Sequence, residues 1–422
     1  MQCSPALLRG TVPAIPSKSD AHRKLICAAI SENGGFLPLR APHCNDILAT
    51  IRCLSALGAE IVQKENGIQV HPITRQAYAA LDCGESGSTL RFLLPVAMAV
   101  CNHISVTGSG RLPERPISAL TNAMASHNVQ FATTMLPISA EGSLTGGVYE
   151  IAGNISSQFL SGLLMALPLC AEDSEIRLTT PLQSSAYVDM TLSTLREFGA
   201  QITVSEENGL LRYHIAGGRK LHCPEELTVD GDWSNAAFWL TAGAILPGSE
   251  ITVTGLSRDS VQGDKAIFDI LKKAGANIAE RDRNVTVSCG TLQHFDAEME
   301  AIPDLLPILA VLASYAKGES HFLKAARLRL KESDRLSATA DMLRILGICV
   351  DEKSDELTVS GGQIRGDIVN GMNDHRMVMA AAIAALGADS PVTITDCEAV
   401  NKSYPGFFAD YQSLGGIAEK IG

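Results

Sequence analysis

Four stretches of this 422-residue chain put basic side chains where an apolar helix should begin. Lys18 and Arg23 open PSKSDAHRKLICAAIS, and Arg91 follows the Gly-rich loop of DCGESGSTLRFLLPVAMAV. Lys331 and Arg335 fall four apart in KESDRLSATADMLRILG, and His375 and Arg376 adjoin in NDHRMVMAAAIAAL. A helix N-terminus already carries partial positive charge, so cations there cost a few tenths of a kcal/mol or more, and like charges at i,i+4 add a similar penalty. Both effects reverse when an anion binds at the helix end. Each charge-assisted hydrogen bond then returns about 1.5–3 kcal/mol. One such motif reads as a solvated arginine, but four together predict recognition of phosphate or carboxylate groups. SGRLPERPISAL adds Arg111 and Arg115, the latter just before a proline suited to a first helical turn. NISSQFLSGLLMALPL adds Ser156, Ser157 and Gln158, which can cap a helix or bind a phosphate and sugar-like hydroxyls. A Walker loop is missing, and TGSGRLPE lacks the third glycine of a dinucleotide fingerprint, so nucleotide binding is unsupported.

The elements that must position these residues repeat. A helix-like stretch, a turn residue and a strand-turn-strand pattern recur at Gly58, Asn128, Gly199, Gly275, Gly347 and Gly415, at intervals of 68 to 76 residues. Glycine, and less often asparagine, ends helices because it adopts the left-handed conformation at little cost. Repeats of this size exceed a solenoid unit. They predict an α/β fold of two domains, each of three β-α-β-α-β-β units. Ser19 or Asp20 is the expected cap of the first helix. The last repeat, FFADYQSLGGIAEKIG, runs out of chain. One workable partition assigns residues 16–230 to one domain and residues 1–15 with 231–422 to the other, with the site in the cleft between them.

Composition bounds the partners. A formal net charge of −12 disfavours nucleic acid and anionic membranes at long range, so anion binding requires positive charge to be concentrated locally. No run of about 18 uncharged apolar residues suggests a membrane span, and the N-terminal residues lack the order of a secretory signal. Eleven scattered cysteines form no C-x-x-C, and ten histidines form no H-x-H or H-E-x-x-H. No disulfide framework and no metal is expected, and a reducing cytoplasm fits best. The expected state is a monomer.

Taken as a set, the segments PSKSDAHR, GESGSTLR, ERPI, SSQFLSG, SSAYVDMTL, GDWSNAAF, IPDLLPILAVLA, LKESDRL, NDHRMVMA and NKSYPGFF resemble the 5-enolpyruvylshikimate-3-phosphate synthase family over essentially the whole length. The resemblance implies the enolpyruvyl transferase fold, an inside-out α/β barrel in each of two domains. It implies transfer of the enolpyruvyl group of phosphoenolpyruvate to the 5-hydroxyl of shikimate 3-phosphate, with release of phosphate and no cofactor. Carried over position by position, Lys18 resembles the lysine that touches both substrates. Ser19, Arg23, Ser156, Ser157, Gln158, Ser184, Tyr187, Asp304 and Lys331 resemble shikimate 3-phosphate contacts. Gly87, Arg115, Gln158, Arg335, Arg376 and Lys402 resemble the phosphoenolpyruvate pocket. Asp304 resembles the group near the attacking hydroxyl, and Glu332 resembles the acid near the methylene. Lys18 and His375 complete the expected catalytic set. Addition to an enol phosphate and the elimination that follows need carboxyls that exchange protons within a basic surround.

Four positions depart from the family pattern: Glu85 where asparagine is common, Pro16 where glycine is usual, Arg327 where a neutral residue is frequent, and Phe92 where some members carry proline. Glu85 is the most consequential, because a carboxylate beside an anion is costly unless it points away. Two rivals remain in view. The sister transferase acting on UDP-N-acetylglucosamine uses a cysteine near the RLPERP segment, and this chain has none between Cys101 and Cys170. A non-catalytic anion binder would not need Lys18, Asp304, Lys331, Glu332 and His375 together.

Overall fold

A computed structural model describes residues 1–421. The chain divides into two compact units, one formed by Lys18–Val229 and the other by Met1–Ser17 with Asp230–Gly422.

The unit Lys18–Val229 contains helices α1 (Lys18–Ile30), α2 (Asn45–Ala56), α3 (Gly87–Val100), α4 (Ser118–Ala125), α5 (Ser157–Ala166) and α6 (Ser185–Glu197). Its strands form one three-stranded and two four-stranded sheets. The second repeat shows the plan. Strands Tyr78–Asp82 and His103–Thr107 run parallel, and α3 connects them. After α4, the hairpin Val129–Phe131 and Ile138–Gly142 pairs back antiparallel onto His103–Thr107. These strands alternate buried and solvent-facing positions, so each sheet covers the core with one face and meets water with the other. Helices α3 and α5 are apolar on nearly every side and are buried almost throughout, as such helices must be. The sheets therefore lie outside and the helices inside. Gly162 of α5 sits against the Arg91 carbonyl of α3, where a Cβ would collide. Pro95 of α3 has no N–H to give that carbonyl, which opens the space for the close helix crossing.

The other unit repeats the plan with α7 (Trp233–Ile245), α8 (Ile267–Lys273), α9 (Leu306–Ser314), α10 (Arg335–Ile345), α11 (His375–Ala384) and α12 (Phe407–Ser413) around three four-stranded sheets. Helices α9 and α11 are buried at every position, and α7 at all but Ser234. The last repeat does not end incomplete. Strand Gln2–Ser4 inserts antiparallel between Val392–Ile394 and Ile417–Glu419, so the beginning of the chain supplies its missing strand. Strand Arg9–Pro13 likewise pairs parallel to Glu250–Thr254. These two pairings place the first residues in the same unit as the C-terminal half.

All six predicted turn residues adopt positive φ, from 61° at Asn128 to 101° at Gly415. The repeats are thus real structural units. The start of α1 differs from expectation: the helix already begins at Lys18, so Ser19 and Asp20 lie in its first turn rather than capping it. Asp20 instead holds Lys24 one turn on, at 3.0 Å. Among the described residues, no helix is long and apolar enough to cross a membrane.

Candidate active-site residues

In the unit Lys18–Val229, the N-terminal ends of α1, α2, α3 and α5 are tied to one another by their own side chains. Lys18 meets Asp46 of α2 at 2.7 Å. Arg23 is buried in the second turn of α1, with Nε to the Thr191 hydroxyl at 2.8 Å and Nη1 and Nη2 to the Ser19 and Tyr187 carbonyls at 2.6 and 2.8 Å. Burial lowers its guanidinium to about 10, still charged at neutral pH. Arg91 lies one turn inside α3 rather than at its tip, and its Nη1 donates to Gln158 Oε1 at 2.7 Å. Gln158 passes the connection on by donating to the Ser88 hydroxyl at 2.9 Å.

Two serines cap the paired helices. Ser86 accepts from the Thr89 amide, and Ser156 accepts from the Gln158 amide, each through its side chain. Ser157 is buried in the first turn of α5. Ser184 precedes α6 with φ 55°, a left-handed conformation that costs a serine about 1 kcal/mol or more and that clusters at functional sites. Tyr187 follows in the first turn of α6. Gly87 has a specific role: a Cβ there would stand 2.8 Å from Arg115 Nη1 and 3.0 Å from Arg91 Nη1. Only glycine lets both guanidinium groups approach the start of α3. Glu85, the departure in this loop, lies with its carboxylate over Gly110, close against the position a side chain there would take. Gly110 has φ 58° and opens the Arg111 turn, where Arg111 itself is paired with Glu114.

The second array lies in the other unit. Asp304, on a 3₁₀ turn ahead of α9, gathers three cations: Arg335 Nη1 at 2.7 Å, Lys331 Nζ at 3.1 Å and Arg376 Nη2 at 3.6 Å. Burial alone would raise this carboxyl, but Lys331, Arg376 and Arg335 outweigh it and hold it well below the usual carboxylate range. Burial also lowers the Lys331 ammonium, even with Asp304 beside it. Arg335 is 1% exposed and touches three carboxylates, meeting Glu332 at 2.6 Å and Asp374 at 3.0 Å besides Asp304. Burial opposes its charge, yet Asp374, Glu332 and Asp304 more than restore it.

Asp374 serves two ends. It caps α11 by accepting from the Arg376 amide, and it receives the Arg335 Nε and the Ser333 hydroxyl, both at 3.0 Å. His375 and Arg376 are buried at the start of α11. The turn feeding them is conformationally unusual, with Met372 and Asn373 at φ 53° and 49°. Lys402 donates to the Asn373 carbonyl at 2.5 Å and so secures that turn.

The sequence reading brought together Lys331, Glu332, Arg335, Arg376 and Asp304, and the structure joins them directly. It overlooked Asp46 and Asp374, although Asp374 stands at the cap position of NDHR and could have been found there. It also overlooked Asp264, a buried carboxyl just before α8 whose pKa is raised to about 6 by burial and by Asp304, against the opposing influence of Arg376. Nothing in its sequence context signals that burial. Among the described residues, no group of three or more His, Cys, Asp or Glu could hold a metal ion.

Chemically, these arrays provide buried guanidinium groups and capped helix starts for anions, and carboxyls of opposite proton affinity for proton transfer. A family model described as EPSP synthase (3-phosphoshikimate 1-carboxyvinyltransferase) matches residues 4–411. The chain is 38% identical over 423 residues to a 3-phosphoshikimate 1-carboxyvinyltransferase of Clostridium perfringens, covering 98% of each chain. It is 40% identical over 425 residues to one of Clostridium acetobutylicum, covering 99% of this chain and 97% of the relative. Among solved structures, EPSP synthase from Acinetobacter baumannii superposes with a TM-score of 0.81 at 26% identity, over 98% of each chain.

Proposed function

The chain belongs to the EPSP synthase (3-phosphoshikimate 1-carboxyvinyltransferase) family, and from that membership we propose how its residues divide the family reaction. The reaction transfers the enolpyruvyl group of phosphoenolpyruvate to the 5-hydroxyl of shikimate 3-phosphate and releases phosphate. In the proposed division, Ser156, Ser157, Gln158, Ser184, Tyr187, Ser19 and Arg23 bind shikimate 3-phosphate, its phosphate taken by the serines. Gly87, Arg115, Gln158, Arg335, Arg376 and Lys402 receive phosphoenolpyruvate, and Lys18 contacts both ligands. Lys331 touches the shikimate side.

The observation that carries this reading is the surround of Asp304. Three cations within 3.6 Å keep the carboxylate ionised and able to accept a hydrogen bond from the attacking hydroxyl, and in the proposed scheme it gains basicity as the bound anions share those cations. As the C–O bond forms at the enol carbon, Glu332, which in this scheme enters the reaction protonated as bound phosphoenolpyruvate takes over Arg335, supplies a proton to the methylene carbon, giving a tetrahedral ketal phosphate. Elimination returns a methyl proton to Glu332 and breaks the bond to phosphate, which takes up the proton held by Asp304 as it leaves, so that both carboxyls are restored. Arg335, Arg376, Lys402 and His375 hold the charge of the phosphoenolpyruvate carboxylate and phosphate in attack geometry. Orientation by these fixed guanidinium groups carries much of the rate, since no reorganisation is required when charge develops.

All residues in this scheme come from one chain, so a monomer suffices. A cytoplasmic location is part of the proposal, on the odd number and scatter of the cysteines in the sequence. The test mixes purified protein with shikimate 3-phosphate and phosphoenolpyruvate and follows phosphate release. Release that requires both substrates is expected. Release only when UDP-N-acetylglucosamine replaces shikimate 3-phosphate would overturn the assignment.

A further inference from the structure

We propose that His22 is a positioning residue: its imidazole, through a chain of buried hydroxyls, fixes the Ser86–Gly87 loop relative to Lys18 and Arg23. The inference rests on the reading of that loop as the phosphoenolpyruvate end of the site. His22 lies on α1 between those two basic residues and is fully buried. Its Nδ1 is 2.8 Å from the Thr50 hydroxyl of α2, which is 2.7 Å from the Thr89 hydroxyl of α3. The Thr89 hydroxyl in turn donates to the Ser86 hydroxyl at 2.7 Å, and Ser86 caps α3 through the Thr89 amide. Thr50, Thr89 and Ser86 are all buried, so water does not compete for these bonds.

Each hydroxyl has one hydrogen to give. The Thr89 hydroxyl has two acceptors, Ser86 at 2.7 Å and the Asp46 carbonyl at 3.4 Å, and the shorter bond takes the hydrogen; either choice leaves Thr89 an acceptor from Thr50. With Thr89 donating to Ser86, Thr50 donates to Thr89, and His22 donates its Nδ1–H to Thr50. Nδ1 therefore carries a proton, while Nε2 is buried without a hydrogen-bond partner, which favours the neutral ring over one with an unsatisfied second N–H. Burial, with Lys18 and Arg23 nearby, holds it well below its ordinary pKa and so keeps it neutral. Ser86 then accepts two hydrogen bonds and keeps its own hydroxyl hydrogen, a further donor beside Gly87. Helix α2 is the intermediary throughout. Its Asp46 grips Lys18, its Thr50 carries the relay, and its Cys53 donates to the Asp82 carbonyl just ahead of the loop. The Phe92 ring packs edge-on to His22, with centroids 6.4 Å apart, and also lies 4.9 Å beneath the Arg23 guanidinium.

Asparagine can place an N–H where Nδ1 stands; leucine cannot. His22→Leu should raise the KM for phosphoenolpyruvate about 10-fold with a smaller change in kcat, and His22→Asn should recover most of that loss. Thr50→Val should reproduce His22→Leu, and the double variant should be no worse than either single one. In the unliganded protein, amide exchange of Thr89 should speed up in His22→Leu while that of α6 stays unchanged. Equal losses in the leucine and asparagine variants, additive losses in the double variant, or unchanged Thr89 exchange would each overturn the proposal. An inactive wild-type protein would instead count against the assigned reaction, and the exchange result would still decide the relay.

Discussion

The two arrays hold their buried arginines in opposite ways. In the unit Lys18–Val229, Arg23 donates to one hydroxyl and two carbonyl oxygens, and Arg91 donates to the Gln158 amide oxygen and the Pro116 carbonyl, all neutral acceptors. In the other unit, Arg335 is surrounded by the carboxylates of Asp304, Glu332 and Asp374. Neutral partners fix an arginine while leaving its field for a ligand. Carboxylate partners neutralise it locally and gain ionisable groups whose proton affinity it sets. The difference separates an array proposed only to bind ligand from one proposed to combine phosphoenolpyruvate binding with proton chemistry, and a substitution that breaks one should leave a different signature from one that breaks the other.

The largest effect on stability is expected at Asp374, the completely buried partner of Arg335. Asp374→Asn keeps the shape and removes the charge, and breaking such a pair costs about 3 kcal/mol. Its carboxyl is pulled below the ordinary value, against burial, by Arg335 and His375, so this stability is present above the unfolded pKa and lost as pH falls. Denaturant titration at pH 8 should show the loss, and the gap to wild type should narrow towards pH 3. In the other array, Arg23→Lys cannot reproduce three fixed guanidinium contacts. The KM for shikimate 3-phosphate should rise about 30-fold in steady-state assays, with kcat falling less.

Asp264→Asn should act in the reverse sense to Asp374→Asn. With its folded pKa raised to about 6, Asp264 binds its proton more tightly folded than unfolded, so its ionisation penalises the fold above that pH. The variant should gain about 1–2 kcal/mol at pH 8 and little at pH 4, measured by thermal melts at both values. The smallest effect is expected at Glu85. Because its carboxylate lies over Gly110, Glu85→Asn should lower the KM for phosphoenolpyruvate only about 2- to 5-fold. An unchanged or higher KM would mean that Glu85 does not influence that ligand.

Much of this was legible in the sequence where local chemistry decides local structure. The left-handed turn residues at Gly58, Asn128, Gly199, Gly275, Gly347 and Gly415 follow from the steric freedom of glycine and asparagine, and they revealed the repeats. Basic residues at helix starts, Lys331, Arg335, His375 and Arg376, identified the second array. What was illegible depends on distance along the chain. The partition grouped residues 1–15 with 231–422 but left open which strands they join: Gln2–Ser4 completes a repeat nearly 400 residues away through backbone pairing that carries no side-chain signature. Asp374 reaches Arg335 across 39 residues. His22, Thr50 and Thr89 read as ordinary helical positions until three helices bring their polar atoms together. The start of α1 was displaced because Ser19 and Asp20 both suit a cap, and propensity alone does not choose between capping and an i,i+4 pair with Lys24.

The division between binding and proton chemistry is tested most directly at Asp304. In Asp304→Asn, the dissociation constant for shikimate 3-phosphate, measured calorimetrically, should stay within about 3-fold of wild type while phosphate release slows about 10²–10⁴-fold. Lost binding with turnover preserved at saturating substrate would contradict the account.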